Sequence, residues 1–153
     1  MSNISTLIDR IRVVVPTYTG FTTKKEIPNP YSLTDNARLY LENGWGLKIL
    51  SESISGFQVN QFVSGTRDIS IVVTKVVYSV GNENSNIITD SKSLMEDVVT
   101  LKKEFLACDQ LGIGGNIRKV DFVTNSGIEF LTAKKFNFFS TETIFSFDLS
   151  EEL

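Results

Sequence analysis

At 153 residues, 41% of them hydrophobic and 22% charged, the chain has the size and balance of one folded domain. A net charge of -3 argues against a protein held to nucleic acid through phosphates, which calls for a basic face. Histidine is absent, which excludes Ser-His and Cys-His nucleophilic pairs and histidine metal ligands. The single cysteine, Cys108, excludes an intrachain disulfide and a multi-cysteine zinc site.

Cys108 reads as a small apolar residue near a helix end, and this use of cysteine suits a reducing compartment. No apolar run approaches the ~20 residues of a membrane span. The first residues lack the order of a secretion signal. The expectation is a soluble chain that contacts no membrane.

In chain order, Ile4, Leu7, Ile8, Ile11 and Val14 or Val15 recur at helical spacing behind Ser2 and Asn3 as caps, and Pro16 stops the helix. Tyr18 to Tyr31 is irregular, with Lys24-Lys25-Glu26 as a solvated run and Pro28 and Pro30 restricting the backbone. It is either an extended arm lying on another surface or a plain loop. Thr34 to Asn43 forms a short helix ended by Asn43-Gly44. Gly44 to Leu50 is a strand with Trp45, Leu47 and Ile49 on one face, the tryptophan serving packing rather than ligand stacking.

Ser51 to Ser64 is a loop or weak hairpin arm anchored by Phe57, Val59 and Phe62. Arg67 to Val80 is the longest strand and central in the sheet, because both of its faces carry apolar residues. Gly81 to Asn86 is a polar loop. The next helix, Ser93 to Leu106, begins at a Ser93-x-x-Glu96 capping box. Leu94, Val98, Leu101 and Phe105 form its stripe, widened by Met95, Val99 and Leu106. Gly112 to Gly115 connects to the final strands.

Ile117 to Thr124 alternates through Val120 and Phe122, Asn125-Ser126-Gly127 turns the chain, and Ile128 to Ala133 runs back. After Lys134-Lys135-Phe136-Asn137-Phe138-Phe139 comes Thr143 to Leu149, with Phe145, Phe147 and Leu149 pointing one way. The whole reads as one α+β domain over residues 1–153. Its sheet is mostly antiparallel, with about four to five strands and helices packed on one face. An irregular arm spans about 17–32 and a loop about 51–64.

Chemistry is sparse. Gly112-x-Gly114-Gly115 follows a helix and precedes a strand, the reverse of a phosphate-binding turn. Asp121 and Glu129 flank the Asn125-Ser126-Gly127 turn and can face one another across a hairpin, but nothing in the sequence separates their proton affinities. No ligand spacing suggests a metal or other cofactor, and no catalytic residue is assigned. Phe136, Phe138 and Phe139 read as core or interface residues rather than a stacking platform for single-stranded nucleic acid.

The order of these elements resembles the tail terminator (tail completion) proteins of long-tailed bacteriophages. The resemblance is carried by the N-terminal helix, the Gly44-Trp45-Gly46-Leu47 strand, the Ile69-to-Val80 strand, the Leu94-to-Leu106 helix and the closing Phe136-to-Phe147 stretch. It covers nearly the whole chain, in pattern and size. It implies a virion structural protein rather than an enzyme, needing no cofactor, assembled in the host cytoplasm into a hexameric ring at the head-proximal end of the tail.

The partners implied are further copies of the chain, the tail tube protein and a head-completion or connector protein. DNA would pass through the lumen without specific binding. The loop Ser51 to Ser64 and the arm Tyr18 to Tyr31 become contacts for tube or neighbour, and Phe57, Val59, Phe62, Phe136, Phe138 and Phe139 the candidate interface. Three alternatives stay open: another head-tail connector or tube-associated protein, a small carboxylate-using enzyme, and a monomeric ligand-binding module with a cavity around Trp45.

Overall fold

The computed structural model describes residues 3–33, 42–57, 62–77, 84–107, 111, 116–133 and 136–152. Helix α1 (Asn3–Val14) runs into a 3-10 turn (Val15–Thr17), and a two-residue strand β1 (Lys25–Glu26) follows. Then come the long strands β2 (Asn43–Phe57) and β3 (Phe62–Val77), helix α2 (Asn84–Ala107), and the long strands β4 (Ile117–Ala133) and β5 (Phe136–Glu152). All five strands form one sheet in the order β1-β2-β3-β5-β4, parallel only between β1 and β2. The α+β reading therefore stands, with both helices on one face of a mostly antiparallel sheet.

That face is built by the period-two pattern. Trp45 on β2, Ile69, Ile71 and Val73 on β3, and Phe145, Phe147 and Leu149 on β5 are buried beneath Leu7 and Ile11 of α1 and Leu94, Leu101 and Phe105 of α2. Each such side chain contributes about 1.5–3 kcal/mol by leaving water. Phe105 is the hub, its ring edge-on to Phe145 at 4.7 Å, Tyr18 at 5.8 Å and Phe147 at 6.1 Å. Such T-shaped pairs add to burial because a positive ring edge meets a negative ring face. Helix α1 stops at Val14, as Pro16 requires, and Pro16 itself lies in the following 3-10 turn, where a missing N–H costs little.

The other face of the sheet is covered by the chain's own arm. Ile27 and Pro30 are buried, and Leu33 and Leu131 pack against Val76 and Phe138. Gly46 permits this, since a Cβ there would sit 2.7 Å from the Pro30 Cβ. At the edge of the arm the Tyr31 hydroxyl accepts the Ile49 N–H at 3.0 Å and donates to the Ile49 carbonyl at 3.4 Å.

Several sequence expectations are corrected. Asn125-Ser126-Gly127 is a bulge inside β4 and not a hairpin turn. Between the pairs Asn125↔Thr143 and Ile128↔Thr141, β4 advances one residue more than β5. Gly127 takes φ 75° and its N–H binds the Asn125 Oδ1 at 2.8 Å. The Asn125 Nδ2 donates to Thr141 Oγ1, Thr143 Oγ1 and the Glu142 carbonyl, at 2.9, 3.1 and 3.0 Å. Those bonds hold the segment to β5, so a turn-forming sequence stays in the sheet.

Of the two readings of Ser51 to Ser64, the hairpin arm stands and the loop does not: β2 continues to Phe57, β3 begins at Phe62, and the two pair antiparallel. Helix α2 starts at Asn84, so Ser93 and Glu96 lie within it rather than capping it. Of the helix expected over Thr34 to Asn43, residues 34–41 lie outside those described, and Asn43 opens β2. Residues 78–80, Cys108 and the Gly112 to Gly115 connection also lie outside them.

Candidate assembly surface

The sheet leaves two long edges. β4 pairs on one side with β5, and its outer side has no strand partner among the described residues. On the opposite side, β1 pairs with β2 only at Gly44 and Trp45, and Tyr31 satisfies Ile49. From Ser51 to Phe57 the outer side of β2 has no strand partner among the described residues. Open edges present unpaired N–H and C=O groups and are natural places for another chain to pair. β4 blunts its own edge with register shifts at Ile117/Lys119, Phe122/Thr124 and Asn125/Ile128.

Of the six expected interface aromatics and aliphatics, Phe138 and Phe139 are corrected. Both are buried by the chain itself, Phe138 between the sheet and the arm and Phe139 in the main core, where its ring meets Phe130 at 5.2 Å. Alternation along β5 sends these neighbours to opposite faces, and both faces are covered. Phe57 and Phe62 end β2 and begin β3 at the far end of that hairpin, and Phe136 opens β5. Val59 lies outside the described residues.

What the sequence reading missed is an exposed apolar flank on α2. Met95, Val99 and Leu106, expected to widen the buried stripe, are 40%, 56% and 51% exposed, and Ile88 is 72% exposed. The signal was their own spacing once the helix is known to begin at Asn84.

The carboxylate pair does not form. Asp121 and Glu129 sit on the same strand, eight positions apart, or roughly 25 Å along a chain rising about 3.3 Å per residue. Glu129 borders a groove of about 350 Å³ on the arm-covered face, with Tyr31, Ser140 and a Lys48–Glu142 ion pair of 3.1 Å. Trp45 is 1% exposed within the core, away from any surface a ligand reaches.

Among the described residues, the one perturbed acid is structural in placement. Asp97 on α2 meets Lys24 at 3.1 Å, both side chains more than nine-tenths covered. The Lys24 ammonium also donates to the Gly20 carbonyl at 2.7 Å and lies 5.0 Å from the Phe21 ring centre. Burial pushes the Asp97 carboxyl above its ordinary value, and Lys24 opposes that rise. Among the described residues no cluster of three His, Cys, Asp or Glu side chains forms a metal site, and no helix is long and apolar enough to cross a membrane.

These features define a sheet-and-helix domain whose distinctive surfaces are edges and an apolar helix flank. No family model matches the chain, and no curated protein is significantly similar to it.

Proposed function

We propose that this chain is a structural subunit that assembles with copies of itself into a closed ring, acting as a tail terminator. In that role it caps the tail tube, stops the tube's growth and offers a surface to a head-completion protein, with DNA passing through the lumen unbound. The observation that carries the reading is the pair of open edges on opposite sides of one antiparallel sheet. Each long strand reverses its neighbour, so β4 runs antiparallel to β2. Copies set side by side in one orientation would therefore continue the same ladder. A head-to-tail contact of this kind closes into a ring when its rotation divides a full turn. The resemblance of the element order to that of tail terminators supports the specific role.

Native mass spectrometry and negative-stain imaging of the purified chain, alone and with tail tubes, test the proposal. Closed rings of one copy number, or a monomer that forms rings on tube ends, support it. A chain that stays monomeric up to about 1 mM and ignores tubes overturns it.

A further inference from the structure

The exposed side chains on α2 are not scattered. Ile88, Met95, Val99 and Leu106 follow one another at steps of seven, four and seven, which 3.6 residues per turn places within about 40° of one another. Their line runs along the helix about 110° from the buried stripe of Leu94, Val98, Leu101 and Phe105. It lies on the β4 side. Lys102, between the two stripes, holds its ammonium 3.9 Å from the ring centre of Phe122 on β4, whereas Asp97 across the helix reaches Lys24 beside β1. On β4, half-exposed Phe130 lies against Phe139 of the helix-covered core.

Charge disfavours a second copy of the same flank as what covers this surface. Lys92, Lys102 and Lys103 lie within about 60° of the line, closer than the nearest carboxylate, Glu96. Two copies meeting here about a twofold axis would set these lysines against each other. The β2 side carries no such excess of one sign. Glu52 is paired with Arg67, Glu26 with Arg12 and Lys48 with Glu142, while Ile49 and Leu50 are 45% and 43% exposed and offer apolar surface to match the flank. Strand direction agrees, since β4 and β2 are antiparallel within one chain.

We infer that the α2 flank and the outer edge of β4 receive the β2 edge of a second copy of this chain, in a head-to-tail contact. The inference rests on the ring reading above and names its interface. The flank supplies apolar burial and the edge supplies backbone hydrogen bonds. On the incoming β2, the Tyr31 hydroxyl holds the Ile49 N–H until the two edges meet.

The test uses the full chain in sedimentation velocity across a concentration series. Val99→Glu blocks the flank and Leu50→Lys, at a residue 43% exposed on β2, blocks the other surface; Met95→Glu serves as a second flank variant. Circular dichroism gates each variant for folding. Each variant is expected to need about thirty-fold more protein for half-assembly, the effect of losing one central interface contact.

If wild type forms rings and the flank variants assemble equally well, the interface is overturned and the ring reading stands. The interface also falls if Leu50→Lys assembles as wild type does, the mark of a twofold flank-to-flank contact. A wild-type chain monomeric at about 1 mM, with and without tubes, overturns both.

Discussion

Replacing Lys24 with Met would leave the Asp97 carboxylate covered and without the cation that opposes its burial. Breaking a buried pair from one side costs about 3 kcal/mol, because the surviving charge has lost its partner and cannot reach water. For a chain of this size each kcal/mol moves the midpoint by about 2–4 °C, so thermal unfolding at pH 7 should drop by about 6–12 °C. Removing both charges, as Lys24→Met with Asp97→Leu, should return stability to within about 1 kcal/mol of wild type.

The pH dependence adds a second reading of the same pair. Because burial holds the Asp97 carboxyl above 3.8, the folded chain keeps a proton that the unfolded chain releases between 3.8 and the raised folded value. Across that window this residue lowers stability as pH rises, and above it the contribution is constant. Differential scanning calorimetry from pH 3.5 to 7.5 should show that component in wild type and not in Asp97→Asn. Lys24→Met melting within about 2 °C of wild type at pH 7 would refute the claim that this pair pins the loop to α2.

Three further outcomes follow from the packing. Phe105→Ala should cost about 4 kcal/mol in urea unfolding, since it empties the ring contacts to Tyr18, Phe145 and Phe147 together. Asn125→Ala should cost about 2 kcal/mol and raise amide exchange around Thr141 to Thr143, whose buried hydroxyls and intervening carbonyl lose their shared donor. Tyr31→Phe should speed exchange of the Ile49 amide about fivefold, the value of one ordinary hydrogen bond, while leaving the core melting point nearly unchanged.

Where side chains alternate on a covered face, the fold was legible. Phe145, Phe147 and Leu149 announce β5, and Leu94, Val98, Leu101 and Phe105 announce α2, because burial on one side forces the period. Ser51 to Phe57 gave no such signal. Those residues are polar and glycine-bearing, and they are a strand because β3 offers a ladder to pair with. Asn125-Ser126-Gly127 carries turn residues for a real reason, a positive φ and a side chain bonded to its own backbone, yet a bulge needs the same chemistry as a turn.

The candidate site was less legible than the fold. Composition marks Phe138 and Phe139 as apolar without saying that the arm and the helices cover them. Val99 and Leu106 were apolar in a helix, and only the angle between stripes shows that they face outward. Asp121 and Glu129 looked paired because the turn between them was misread.

The place of β5 has a consequence for how the chain folds. It follows β4 in the chain yet lies between β3 and β4, so its ladder with β3 joins Phe62 to Glu152 at one end and Val77 to Asn137 at the other. The β2–β3 and β4–β5 pairs can each form from neighbouring chain, but joining them requires closing a loop that contains all of α2. That step has high contact order and should set the folding rate. Until it is complete, β3 and β5 each show a bare, strongly apolar edge. A cell making this protein must therefore bring the two halves together faster than such edges find those of other unfinished chains.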